Sequence, residues 1–539
     1  MQRHTSVPAE AAWSHPPPRL SGRRAYAPRC PGEGALWRVV YQHLETFLDE
    51  VRARTDGVGV PPFVEREMRE FLTCGSLARG FARVRCDTCR AEHLVGFSCK
   101  ARAVCPSCTG RRMAERAADL VDHVLTHRPV RQWVLTLPFR LRYRLAFDHD
   151  LCRAVVSVYV RTLLGFQRRR ARAAGVPDGQ GGAVTVIQRF GSALNLNVHF
   201  HTLVIDGVIG QNEAGGQLHP APPPSDEDVG RLLVQIRRRV LRLLERRGIS
   251  FDDESSDTLA QESAALAGLA AASVRGRAAL GRRAGHRVAR IGSDPDAEPD
   301  FSSGPRHAHL DGFDLHASLA VAASDTTRLE HLCRYLLRPP VPEGRLALLP
   351  DGRVLLALGR TWSDGTTHLA FEPSELLERL AVLIPRPRIN LILYHGVLSA
   401  HAARRAAAVG TSTPHAVDAP CPDAAGGSVT PKLNGSGRAQ PPPAAAQRGP
   451  PRPDPTVDDA AERPRRRHHR WADLMRRTFE IDVLRCRRCG GRMRLLAIID
   501  APEVVRRILD RLGLPNEVPH PLPARSPPVH NEFVFPEYD

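Results

Sequence analysis

Asn197-Val198-His199-Phe200-His201-Thr202-Leu203-Val204-Ile205-Asp206-Gly207 is the stretch whose reading decides the fold. β-Branched and apolar residues closed off by Asp-Gly predict a β-strand. Alternation puts Asn197, His199, His201, Leu203 and Ile205 on one face, and Val198, Phe200, Thr202 and Val204 on the other. The second set reads as a core face. On the first, imidazoles at i and i+2 have Cβ atoms roughly 6.5–7 Å apart, close enough for both to reach one divalent ion. In isolation such a pair is more often two histidines on a half-exposed strand. The rest of the chain reverses that reading.

Around this strand the pattern alternates between helix and sheet. Residues 34–57 and 62–72 have helical periodicity, with Leu36, Val39, Val40, Leu44, Phe47 and Leu48 on one side. Gln132–Pro138 and Ala183–Phe190 predict strands, and 147–174 a helix with a basic end. Ser225, followed by Asp226, Glu227 and Asp228, starts a helix over about 226–247. Gly312–Ala322 reads as a strand and 326–338 as a helix. A hairpin over about 353–371 turns at Ser363-Asp364-Gly365, and 374–383 is a further helix. The domain expectation is a disordered tail over 1–33, a DNA-binding domain with cysteine ligands over 34–125 and a catalytic domain over 126–401. Within the last, 210–305 reads as an insertion whose later part is low in information. A Pro/Ala/Gly/Arg-rich linker over 402–470 and a small module over 471–539 complete the chain.

The 539 residues carry a net charge of +18, which suggests a polyanionic partner, with nucleic acid the default. Lys100 and Lys432 are the only lysines, so the charge is almost all guanidinium, which suits bidentate phosphate contacts. No apolar run approaches membrane-spanning length, and residues 1–33 lack a hydrophobic signal core, so a cytoplasmic protein without a membrane partner is expected. The 12 cysteines then read as metal ligands and reduced thiols rather than disulfides.

Cys86-x2-Cys89 and Cys105-x2-Cys108 have the spacing of two zinc knuckles, and four thiolates with no open position suit structural Zn2+. Cys74, Cys99 and His93 are spare ligands, so a substitution within the set or a second site stays open. Cys486-x2-Cys489 is half a site, with His468, His469 or a second subunit as possible partners, or a knuckle without metal. Arg102, Arg111 and Arg112 flank the knuckles and are candidate phosphate contacts.

The helix over 326–338 has Leu329, Leu332, Cys333 and Leu336 as its apolar stripe and is stopped by Pro339-Pro340. Tyr335 lies roughly 120° from the centre of that stripe. Its neighbours are Arg328, His331 and Arg338, with Arg334 beside it. A phenol off the core stripe and among arginines suits attack on a phosphate. An ion on His199 and His201 would polarise a phosphodiester, and a Tyr335 phenolate would attack it to leave a phosphotyrosine and a free 3′-hydroxyl.

At this point the chain resembles a known family. His199-Phe-His201 matches the motif of HUH endonucleases, and more specifically the chain is similar to rolling-circle transposases of the insertion-sequence ninety-one and common-region (ISCR) type. The resemblance runs from about Phe71 to His401 and again over about 485–525. It is carried by Cys74-Gly, Gly80-Phe-Ala-Arg, Phe97-Ser-Cys-Lys-x-Arg, Cys105-Pro-Ser-Cys and Val130–Pro138. Arg334-Tyr-x-x-Arg-Pro-Pro340, Asp364-Gly-Thr, Pro385-Arg-Pro-Arg388, Tyr394-His-Gly-Val397 and Cys486-x-x-Cys-Gly-Gly follow in the same order. It implies an α/β (α+β) protein: an HUH domain with a central antiparallel sheet flanked by helices, behind a helical zinc-binding domain. It further implies that His199 and His201 hold Mg2+ or Mn2+, that Tyr335 is the nucleophile, and that single-stranded or hairpin DNA is the partner. Self-association stays open. Two-tyrosine members carry a second Tyr where this chain has His331, which points to the single-tyrosine branch. The motif leaves a third ligand unidentified; His316, on the polar face of its strand with Asp314 and Ser318, is the candidate and His331 the second. A plasmid replication initiator or relaxase, and a zinc-dependent DNA-binding regulator without catalysis, are the rival readings.

Overall fold

The strand carrying His199 and His201 spans Leu196–Ile205 and lies inside an antiparallel sheet of seven strands. The computed structural model describes residues 24–25, 31–211, 216–249, 257–294, 304–342, 344–409 and 470–525. Across the sheet the order is His307–Leu310, Phe313–His316, Val130–Thr136, Leu196–Ile205, Gly182–Phe190 and Ile392–Gly396, with Ala320–Val321 also paired to Val130–Thr136. Val134 and Val186 lie opposite His201, and Thr136 and Gln188 lie opposite His199. Cross-strand partners share a face, so these residues surround the imidazoles.

Both faces of the sheet are covered, each for a reason visible in the alternation. Phe200 and Val204 turn towards the helix His149–Ala173, where Tyr159 stacks on Phe200 with ring centroids 6.3 Å apart. Leu203 and Ile205 lie on the imidazole face and pack with Leu329, Leu332, Cys333 and Leu336 of the helix Thr326–Leu336. Burying each of those leucines contributes about 1.5–3 kcal/mol, which fixes the helix across the imidazole face. Its start is capped by Asp325, whose side chain accepts from the Arg328 N–H, and it ends before Pro339-Pro340.

The helices expected over 34–57, 62–72, 147–174, 226–247 and 374–383 are Ala35–Ala53, Pro62–Leu72, His149–Ala173, Asp226–Arg246 and Pro373–Leu383. The hairpin expected over 353–371 pairs Val354–Ala357 with His368–Phe371 inside a four-stranded sheet. Gly312–Ala322 is broken into Phe313–His316 and Ala320–Val321 rather than being one strand.

Two described helices within 210–305 contribute to the core. Asp226–Arg246 buries Val229, Leu232, Leu233 and Ile236 in the same cluster as Phe200, and Ala264–Val274 is buried along most of its length. Ala264–Val274 is apolar on all sides, so it shows no amphipathic period.

The C-terminal segment also joins an earlier element. Met493–Ile499 pairs with Phe81–Cys86, which pairs with Glu92–Gly96, to make one three-stranded sheet. Helix Pro502–Leu512 closes over it, with Val505 and Leu509 packed on Phe81.

The tail and the linker expected over 1–33 and 402–470 lie largely outside the described residues, as do His468 and His469. Among the described residues no helix is long and apolar enough to cross a membrane.

Candidate active site and metal centres

The two imidazoles of the His strand meet through their Nε2 atoms, 3.0 Å apart. His199 Nδ1 lies 2.8 Å from the Asn197 carbonyl oxygen, which can only accept, so the proton sits on Nδ1 and His199 Nε2 carries the lone pair. His201 Nδ1 lies 2.8 Å from the Gln132 amide nitrogen. The chain of donors is self-consistent: Gln132 N–H to His201 Nδ1, His201 Nε2–H to His199 Nε2, His199 Nδ1–H to the Asn197 carbonyl.

Burial holds both rings neutral. It pushes His199 down to about 4, against the hydrogen bond to Asn197, and Arg338 and Arg142 push the same way. His201 is also held well below the ordinary value, first by burial, then by His199 and Arg338. A neutral imidazole is the form that ligates a metal. Gln188 Oε1 and Asn197 Oδ1 are buried on this face without a hydrogen-bond partner among the described residues. Two convergent neutral nitrogens beside two unsatisfied oxygens fit a divalent ion and its water shell. For both Nε2 atoms to ligate, His201 must move its proton to Nδ1, and Gln132 must turn its Oε1 to accept it.

Tyr335 comes from the helix above. Its ring meets His201 at 6.1 Å between centroids, with the planes at 87°. The Arg338 guanidinium lies 4.1 Å over the Tyr335 ring and 5.4 Å from the Phe190 ring. Gln188 donates to the Leu336 carbonyl at 3.1 Å, tying the end of the tyrosine helix to the strand opposite His199. Gln132 and Gln188 are not singled out by the sequence; only strand register shows that they face the imidazoles.

The third-ligand candidates do not join the pair. His316 lies opposite Val134, itself opposite His201, so it is on the same face but two strands away, roughly 9.6 Å at strand spacing. It is hydrogen-bonded to Ser318 at 2.8 Å, and its ring lies 5.8 Å from that of His307. His331 is exposed. Among the described residues, no His, Cys, Asp or Glu completes a three-ligand group with His199 and His201.

Eight of the ten described cysteines form two sets of four, and neither is the expected one. Cys86 and Cys89 gather with Cys486 and Cys489, while Cys105 and Cys108 gather with Cys74 and Cys99. Sulfur separations are 3.5 and 3.6 Å in the first set and 3.5–3.7 Å in the second. A tetrahedron of thiolates at about 2.3 Å from zinc has edges of roughly 3.8 Å, so both sets suit structural Zn2+. The partition follows from the hairpin. Cys86 and Cys89 sit at its turn, and strand Glu92–Gly96 carries the chain roughly 16 Å away before Cys105 is reached. Cys74 and Cys99 flank the open end, where Gly75 N–H donates to the Phe97 carbonyl. A Cβ on Gly96 would come 2.2 Å from the Gly75 oxygen there. At the other end Gly491 packs against the first knuckle, where a Cβ would meet Thr88 Oγ1 at 2.4 Å and Cys86 Sγ at 3.1 Å. Within that knuckle the Cys89 backbone N–H is the largest influence lowering the Cys86 thiol to about 6, favouring the thiolate.

Of the candidate phosphate-contacting arginines, three are engaged internally. Arg102 donates to the Arg386 and Ile389 carbonyls, Arg112 to the Lys100 and Ala101 carbonyls, and Arg334 pairs with Glu330. Arg111 and Arg328 are exposed, and Arg338 covers the tyrosine. Arg477, from the helix Trp471–Phe479, bonds Asp122 of the cysteine-bearing helix and Glu330 of the tyrosine helix at 2.5–2.9 Å.

Residues 40–137 match the family described as "Transposase zinc-binding domain", and residues 182–406 match the family described as "Putative transposase". The first match contains Cys74, Cys99, Cys105 and Cys108 and stops well short of Cys486; the second contains the His strand and Tyr335. No curated protein and no solved structure matches the chain.

Proposed function

The chain belongs to the transposases that carry an insertion-sequence ninety-one type of zinc-binding domain, and from that premise we propose that it nicks and rejoins single-stranded DNA through a 5′-phosphotyrosine on Tyr335. The observation that carries this reading is the meeting of Tyr335 with His201 across the sheet face, beside the convergent Nε2 atoms of His199 and His201.

His199 and His201 would hold Mg2+ or Mn2+, which when bound polarises the scissile P–O bond and offsets charge in the transition state. The Tyr335 oxygen, deprotonated, attacks phosphorus. The bond to the 3′-oxygen breaks, that oxygen takes a proton, and the 5′-phosphate stays on the phenol. Arg338, which lies over the phenol ring, would meet the phosphoryl oxygens. One phosphoester replaces another, so a 3′-hydroxyl of a second strand can attack the phosphotyrosine and release Tyr335 without ATP. Such chemistry cuts one strand and joins it elsewhere, as rolling-circle transposition requires.

The test is to incubate the protein with labelled single-stranded element-end DNA and Mn2+, then map any covalent adduct by peptide mass spectrometry. An adduct on Tyr335 supports the reading. Binding without any adduct would leave a zinc-dependent DNA-binding protein, and an adduct on another residue would move the nucleophile.

A further inference from the structure

The side of the sheet away from His199 and His201 carries a cleft of its own. Phe200 turns to that side and stacks on Tyr159, so the helix His149–Ala173 lies behind the imidazoles. Asp226–Arg246 packs beside it, with both helices in one core cluster. Between them opens a cleft of about 780 Å³, lined by Arg161, Arg168 and Arg169 from one helix and Arg239, Arg242 and Arg246 from the other. Glu245 is the one carboxylate in the lining.

Among the described residues none of these six arginines forms an ion pair, whereas their neighbours do. On the same helix Arg231 pairs with Glu227 and Asp228, and Arg237 pairs with Asp311. Three of the cleft arginines instead bond neutral oxygens that hold them in place: Arg239 to Thr162 Oγ1 at 3.0 Å, Arg161 to the Ser157 carbonyl and Arg246 to the Arg242 carbonyl at 3.2 Å. Gly165, a poor helix former inside a helix of 25 residues, lines the cleft; a Cβ there would meet only the end of Arg169, at 3.6 Å. Packing therefore does not require this glycine, but a longer side chain would project into the cleft.

Six guanidinium groups against one carboxylate around one concavity attract a polyanion. The lining contains no aromatic residue, so it offers phosphate contacts and no platform for unstacked bases. That favours a duplex backbone over a single strand. Arg161 to Arg168, and Arg239 to Arg246, each span roughly 10.5 Å along a helix, about three phosphates of one strand at about 3.4 Å of axis each. We infer that this cleft binds the sugar–phosphate backbone of duplex DNA, independently of sequence, as a second DNA site on the opposite side of the sheet from Tyr335. The protein then holds flanking duplex behind the sheet while a single strand occupies the front. The inference rests on DNA being the partner and not on the chemistry assigned to Tyr335.

The test uses the full chain with Arg168→Gln, Arg169→Gln and Arg242→Gln combined, and binding of a labelled random-sequence DNA duplex between about 50 and 200 mM salt. The expected result is at least a tenfold loss of duplex affinity and a salt slope shallower by about three, while cleavage of a short single-stranded end stays within twofold. Glu245→Arg, on an exposed position, tests the same site in the opposite direction and is expected to tighten duplex binding several-fold. Duplex affinity and salt slope unchanged in either variant overturn the inference, as does duplex RNA binding here in place of DNA. If Tyr335 gives no adduct while the arginine variant still loses duplex affinity, the proposed chemistry fails and the second site stands.

Discussion

The ring of Tyr335 stands edge to plane against the imidazole of His201, centroids 6.1 Å apart, although helix and strand are separated by a long stretch of chain. What joins them is apolar: Leu203 and Ile205 below the histidines, and Leu329, Leu332 and Leu336 beside the tyrosine, fill one cluster. His201 is only 5% exposed while Tyr335 is 40% exposed. The His201 ring is therefore sunk beneath the surface and the phenol ring stands edge-on above it at the solvent side, where DNA would reach it.

Replacing Tyr335 by Phe should remove chemistry and spare structure. The ring and its contact with Arg338 remain, and an exposed position tolerates the lost hydroxyl within about 0.5 kcal/mol. Covalent adduct should vanish and strand cleavage fall by roughly a thousandfold or more, while end-DNA affinity stays within a few-fold. Denaturing gels of labelled DNA and anisotropy on the same preparation read both. Cleavage by the Phe variant would take Tyr335 out of its role.

Burial of His199 has a pH signature. Its pKa in the fold is about 4 and that of an exposed imidazole is about 6.5, so between these values the unfolded chain binds more protons than the folded one. Stability is full above pH 6.5, declines as pH falls towards 4, and is flat below. A shift of that size corresponds to about 3 kcal/mol for this one group. Urea unfolding of the ion-free protein at pH 7.5, 5.5 and 4.5 should show the decline in wild type and less of it in His199→Asn. Parallel curves for the two proteins would show that the imidazole is not held neutral by burial.

The core strand and the tyrosine helix are legible in the sequence because each rests on a local period: two for Leu196–Ile205, and i, i+3, i+4, i+7 for Leu329–Leu336; their meeting has no such signal and is expected only from the family resemblance. What stays hidden is what depends on register. Gln132 is known as a neighbour of His201 only once Val134 is placed opposite that histidine, and the same ladder places His316 two strands from the pair. Knuckle spacing likewise says that Cys86 and Cys89 face one ion, but not which distant pair completes it. Ala264–Val274 exposes Ala264 and Gly268, but that side is as free of polar residues as the buried one, so the sequence carries no period that would show it as a core helix.

Gln132 should set the affinity of the histidine pair for a divalent ion. As placed, its amide N–H donates to His201 Nδ1, which leaves the proton on the Nε2 that must ligate. Gln132→Glu offers only acceptors, fixes the Nδ1–H tautomer and should tighten Mn2+ binding. Gln132→Leu removes the partner and should weaken binding about 10–100-fold, as loss of an outer-shell partner does. Calorimetric Mn2+ titrations of the three proteins decide it. If Glu and Leu shift the affinity in the same direction, orientation by Gln132 is not the cause.

Metal content discriminates the observed cysteine pairing from the one that spacing alone suggests. Two sets of four thiols imply two zinc ions per chain, and the knuckle spacing alone implies one. Cys486→Ser with Cys489→Ser should lower the count from two to one by elemental analysis, and should loosen Met493–Ile499 from Phe81–Cys86, because the thiolates clip that strand to the hairpin turn. Hydrogen exchange in residues 81–96 and 493–499 should rise in this variant while residues 105–123 stay protected. Cys74→Ser with Cys99→Ser should do the reverse, deprotecting the start of the helix Pro106–His123 whose first turn holds Cys108. That helix packs against the tyrosine helix through Leu120 and Val121, so this second variant should also slow strand cleavage, and the first should slow it less. Equal loss of both ions from either double variant would mean that the two centres fold as one unit.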